Sequence, residues 1–136
     1  MHFDHNLIGK SSPPQTFEVS LEAVKHFMEA TADPALQSKE PLQYAPPTFP
    51  TTFRIRVPEL ELDSSKMQLL HGEQQYTYMR QLRIGERVTC VARIVDIRER
   101  HGKAGTITFI ITETTGTDSE QQPIYTAHST AIVRQK

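Results

Sequence analysis

The segment His71-Gly72-Glu73-Gln74 brings together an imidazole, a carboxylate and a residue without a Cβ. A His and a Glu this close could share a proton and act as a general base. Glycine between them would let a ligand or a neighbouring backbone approach closely. The plainer reading, which spacing alone favours, is a β-bulge at Gly72 beside a hydrogen-bonded histidine. A second candidate feature is Ala45-Pro46-Pro47-Thr48-Phe49-Pro50. Its prolines fix the backbone path at low entropy cost. Such a segment can wall a binding slot, or it can simply be a rigid surface loop. Cys90 sits in an apolar, β-like run with no basic cluster nearby, so it reads as a small core residue and not a nucleophile.

The other histidines are scattered. His2 and His5 could hold an adventitious metal, but they stand in a terminal segment of the kind that is usually mobile. His26 falls on the solvated face of a helix, His101 in a hairpin turn and His128 in a strand. There is no Gly-rich phosphate loop, no G-x-S-x-G elbow and no paired cysteine for zinc. No metal site is expected.

These residues need elements to position them. Residues 1–16 are polar and read as irregular, and Phe17-Glu18-Val19 can form a short strand. Ser20 looks like an N-cap, with Leu21, Val24, Phe27 and Met28 on one helical face. That helix should stop near Ala32, because Asp33-Pro34 disfavours continuation. Five prolines make residues 33–50 loop-like. Thr51 to Val57 alternates and is β-branched, which is strand propensity. Four longer β-like runs follow, near Lys66–Met79, Arg87–Arg98, Thr106–Thr114 and Pro123–Val133. The short turns between them predict a meander of antiparallel neighbours, with a bulge or bend at Gly72.

Composition bounds the rest. The 136 residues suit one domain, 1–136, with 37% hydrophobic and 23% charged residues. Fifteen basic residues against sixteen acidic leave a net charge of −1, which argues against nucleic acid as partner. The opening MHFDHNLIGK has no charged region followed by an apolar stretch, so no signal peptide is expected. No apolar run approaches ~18 residues, so no membrane partner is expected and a cytoplasmic location is the default.

Several features in order carry a resemblance. They are the Ser-capped helix ending in Asp33-Pro34, then Ala45-Pro46-Pro47-Thr48-Phe49-Pro50, then Leu70-His71-Gly72-Glu73-Gln74-Gln75-Tyr76-Thr77-Tyr78, then Arg80-Gln81-Leu82-Arg83-Ile84-Gly85-Glu86. Together they resemble the N-terminal hot-dog domain of MaoC-like dehydratases, the type also found in fatty-acid-synthase dehydratases, over about residues 7–134. The resemblance implies an α+β hot-dog fold, an antiparallel sheet wrapped around a central helix. That helix would occupy about Thr48 to Val57, overriding its local strand propensity. It also implies the addition or removal of water across the double bond of an acyl thioester on coenzyme A or an acyl carrier protein, with no separate cofactor.

Hydration requires a base to activate water and donors for the developing enolate oxygen. In catalytic members of the family an Asp and a His five residues apart hold that water. Here Asp33 matches the aspartate, but five residues on stands Ser38, and the Asn-Pro-His pattern is missing. The resemblance therefore implies a hydro-lyase subunit, in a homodimer or in a heterodimer with a dyad-bearing chain. Tyr44, Pro46, Pro47, Thr48, Phe49 and Glu73 would bind substrate, with Asp33 and His71 as catalytic candidates. The alternatives are an autonomous enoyl-thioester hydratase using Asp33 or the His71/Glu73 pair, and a thioesterase or non-catalytic acyl-thioester-binding module.

Overall fold

Ser20 starts the helix as its residue type dictates. Its Oγ accepts a hydrogen bond from the Ala23 N–H at 3.1 Å, satisfying one of the free donors of the first turn. The helix that follows, α1, runs Leu21–Ala30 and buries Val24 and Met28. In the computed structural model, which describes residues 3–135, it is accompanied by five strands. These are β1 (Gln15–Glu18), β2 (Met67–Tyr78), β3 (Arg87–Gly102), β4 (Gly105–Thr117) and β5 (Pro123–Gln135). They form one antiparallel sheet in the order β1-β3-β4-β5-β2, curled into a half-barrel. Three of the four long runs, β3, β4 and β5, extend beyond their predicted C-terminal ends at Arg98, Thr114 and Val133.

The topology corrects the expected meander. β3, β4 and β5 are consecutive neighbours, but β2 pairs with β5 at the far edge instead of with β3. The cause is that both sides of β3 are taken, one by β4 and the other by β1. The short link after β2 is thus a crossover. It is pinned by Leu82, which is fully buried, and by backbone bonds from Met79 to Ile124 and from Gly85 to Val19. Arg80 donates two hydrogen bonds to the Glu86 carboxylate, at 2.9 and 2.7 Å, across the same link. The β3–β4 connection, by contrast, is a true hairpin. Gly102 pairs with Gly105, whose φ of +113° is open to glycine at no steric cost.

The helix implied for Thr48 to Val57 is absent. That stretch contains only a 3-10 turn, Phe49–Thr52, followed by residues that are neither helical nor paired in the sheet. The local chemistry explains this. Thr51, Thr52, Ile55 and Val57 are β-branched, and Pro58 disfavours an α conformation at Val57. The strand reading fails as well, because the segment lies over the face of the sheet and not along an edge, so its backbone pairs with no strand. The segment keeps a strand-like alternation all the same. Phe53, Ile55 and Val57 turn inward while Arg54 and Arg56 stay exposed.

Residues 3–16 are also more ordered than expected. Asp4 caps a 3-10 turn at His5–Leu7, Phe3 and Ser12 are buried, and Ser12 exchanges hydrogen bonds with Ala92. Gln15 and Thr16 already belong to β1. The histidine at position 2 lies outside the described residues.

The core has two parts. One gathers Val24, Met28, Phe49, Leu82, Val88 and Ile124 beneath α1. Phe53 is stacked on Phe17 at 4.5 Å, and Phe49 meets both Phe27 and Phe53 edge-on. The other gathers Val57, Met67, Ile94, Ile97, Ile110 and Val133 along the sheet.

Candidate functional site

Alternation along the strands places every second side chain on the inner face of the sheet. Register then sorts these side chains into rungs that cross the sheet from β2 to β3. One rung is His71, Ala131 and Ile110. The next is Gln74, Ser129, Thr112 and Ile94. A third is Tyr76, Ala127, Thr114 and Ala92. The last is Tyr78, Tyr125, Gly116 and Cys90. The final rung is tightly filled. Cys90 Sγ lies 3.3 Å from the Tyr125 hydroxyl, and a Cβ at Gly116 would run into the Tyr125 ring. Burial pushes both the Cys90 thiol and the Tyr125 phenol up, so both stay protonated near neutral pH. Cys90 is the core residue that its surroundings in the sequence implied.

The middle rungs are not filled. Ala92, Ala127 and Ala131 are small, and the unpaired segment passes over them without closing the space. The result is an open cleft of about 810 Å³ between residues 50–62 and the inner face. Its chemistry is graded. Val57, Leu60, Leu62 and Leu69 make one end apolar. Gln74, Ser129, Thr112 and Thr114 line the centre, where Ser129 Oγ donates to Gln74 Oε1 at 2.7 Å. Tyr76 and Tyr125 close the other end, with ring centroids 6.1 Å apart. His71 is the one histidine among the lining residues, and none of them is a carboxylate.

Of the residues assigned a catalytic or substrate-binding role from the sequence, only His71 lines this cleft. The register shift between His71 and Glu73 confirms the bulge at Gly72. That bulge separates the pair. Glu73 stands beside Gln74, a cleft residue, and therefore points to the outer face. Asp33 is elsewhere, and its Oδ1 accepts from the Ala35 N–H at 2.9 Å as the N-cap of the 3-10 turn Pro34–Gln37. Ser38 Oγ accepts from the Glu40 N–H, a local turn contact. Tyr44 is exposed beside a second, shallower depression formed with Ala35, Ser38 and Leu42. Pro47 supplies a carbonyl that accepts from the Tyr78 hydroxyl. Phe49 is 1% exposed and serves as a plug of the aromatic cluster. Pro46 and Thr48 flank that plug, so the predicted slot residues anchor the segment while the cleft opens just after them, from Pro50 onward. The residues missed from the sequence are Arg54, Arg56, Gln74, Tyr76, Thr112, Thr114, Tyr125 and Ser129. The signal that could have found some of them is the every-second spacing of Gln74, Tyr76 and Tyr78 in the β-like run.

Residues 6–127 match the family model described as FAS1-like, dehydratase domain region. The chain belongs to this family. A curated relative, the UPF0336 protein SCO4636 of Streptomyces coelicolor, is 36% identical over 119 residues, covering 75% of this chain and 78% of its own length. Among solved structures, the HadBC (3R-hydroxyacyl-ACP dehydratase) complex of Mycobacterium tuberculosis superposes with a TM-score of 0.69 at 17% identity. The match covers 93% of this chain and 96% of that one. The MaoC-like dehydratase of Rhodospirillum rubrum does so with a TM-score of 0.65 at 12% identity, covering 95% and 93%. The fold is the hot-dog fold, as the resemblance implied, and solved MaoC-like dehydratases share it.

Proposed function

We propose that this chain is the acyl-binding subunit of an (R)-specific enoyl-thioester hydratase or 3-hydroxyacyl-thioester dehydratase, acting with a partner chain that carries the Asp/His dyad. The substrate is an acyl thioester of coenzyme A or an acyl carrier protein, and no further cofactor is needed. The observation that carries this reading is the cleft itself. It offers an apolar end for an alkyl chain and neutral hydrogen-bonding groups at its centre, while its wall holds no carboxylate to pair with His71. A site able to bind and orient substrate, but without a complete acid–base pair, is one half of a catalytic site.

Two further features support a partner. β2 is an edge strand of twelve residues whose outer N–H and C=O groups form an open ladder, with Leu69 and Leu70 exposed along it. The HadBC complex has the same fold. The autonomous reading loses its main support once Glu73 points away from His71, and the thioesterase reading gains no residue from the cleft.

The test is hydration of crotonyl-coenzyme A by the pure chain, by a dyad-bearing family member and by their mixture. The mixture is expected to exceed the sum of the separate rates. A mixture no faster than the dyad-bearing chain alone would sink the proposal. Turnover by the pure chain that His71→Ala abolishes would replace it with the autonomous reading.

A further inference from the structure

The net charge of the chain is −1, yet its large cleft carries only positive charge. Arg54 and Arg56 line it, and among the described residues neither has an ion pair or a side-chain hydrogen bond. Alternation in the covering segment explains their position. Phe53, Ile55 and Val57 are drawn into the core, which leaves the two guanidinium groups on the exposed side, at the rim. The nearest acidic residues in sequence, Glu59 and Glu61, are exposed and do not line the cleft. The sheet below contributes Gln74, Tyr76, Thr112, Thr114 and Ser129 and no carboxylate. An apolar trough with two free arginines at its edge suits an amphipathic ligand with an anionic head. Guanidinium groups match phosphate best, because their forked donors engage two oxygens at once.

Resting on the acyl-thioester reading above, we infer that Arg54 and Arg56 form an anion-binding rim that holds a phosphate of the ligand while its alkyl chain lies in the cleft. That phosphate can be the one on a phosphopantetheine arm or those on the nucleotide of coenzyme A. The chemistry is shared, and the experiment separates the sources.

The full chain and its Arg54→Gln/Arg56→Gln variant are titrated calorimetrically with four probes. These are decanoyl-coenzyme A, decanoyl-phosphopantetheine, decanoyl-pantetheine without phosphate, and decyl phosphate. Both arginines are exposed, so the variant should keep the wild-type melting temperature, and Arg54→Lys/Arg56→Lys should recover much of the binding. The expected result is a loss of about tenfold or more for the phosphorylated probes in the Gln variant, with decanoyl-pantetheine unchanged. Equal losses for the two phosphorylated thioesters assign the rim to the arm phosphate. A loss confined to decanoyl-coenzyme A assigns it to the nucleotide. Binding of decyl phosphate that needs the arginines, without binding of any thioester, would keep the rim and refute the thioester reading. Equal affinity of wild type and Gln variant for every phosphorylated probe would overturn the rim.

Discussion

The inner face of the sheet is built in two ways. Beneath α1 it is crowded with large rings and branched chains. Phe17, Phe27, Phe49 and Phe53 interlock there, and Tyr125 lies directly over Gly116. A few rungs away the same face carries Ala92, Ala127, Ala131, Thr112, Thr114 and Ser129, and the covering segment bridges it without filling it. Both regions hang on the same strands and share one register. The difference is side-chain volume and what lies above. Where a helix and aromatic plugs cover the sheet, burial stabilises the fold. Where a thin unpaired segment covers it, space remains that costs stability and is open to a ligand.

The strongest way to break this contrast is to empty the crowded end. Phe49→Ala removes the ring that joins α1 to the covering segment, and should cost ~3–5 kcal/mol. Urea unfolding checks this, and a loss below 1 kcal/mol would mean that the plug is not structural. A gentler change sharpens the contrast from the other side. Ala131→Leu adds volume where the cleft is empty, so melting should move little while decanoyl-coenzyme A binding falls about tenfold or more. Equal damage to stability and binding would show that the cleft is packed after all.

The smallest effect concerns pH. Burial pushes the Glu86 carboxyl up, but hydrogen bonds from Arg80 and the Arg83 N–H, with the Arg80 charge, outweigh it and hold the group below its ordinary value. Asp118 is lowered in the same way, chiefly by the Gln122 N–H and also by Arg80. In the window between the folded and unfolded values the unfolded chain binds more protons. Stability is therefore full above about pH 4.3 and drains as pH falls through the folded value. Glu86→Gln should flatten that acid limb in urea titrations at several pH values, and an unchanged limb would assign it to other carboxylates.

Much of the fold was legible locally. Ser20 announced α1, the alternating runs announced four long strands, and Gly72 announced its bulge, because capping, alternation and turn chemistry act over a few residues. Strand order was not legible. The short link at 79–86 looked like a hairpin until β1 was seen to occupy the free side of β3. The candidate site was harder still. His71 and Glu73 read as a pair, but one extra residue at the bulge turns Glu73 to the opposite face. The rungs that make the cleft join residues from β2, β5, β4 and β3, up to tens of positions apart, and no local pattern encodes their meeting.

By itself, then, the sequence determined the strands, the capped helix, the balance of charge and the missing histidine of the dyad, all of which depend on residue type and near neighbours. Only the tertiary structure decided that residues 53–57 would be neither strand nor helix. A strand needs an edge alongside it, and this segment lies over the face of the sheet. A helix needs backbone that β-branched residues and Pro58 oppose. The segment that satisfied neither became the cover of the cleft, with two arginines facing out.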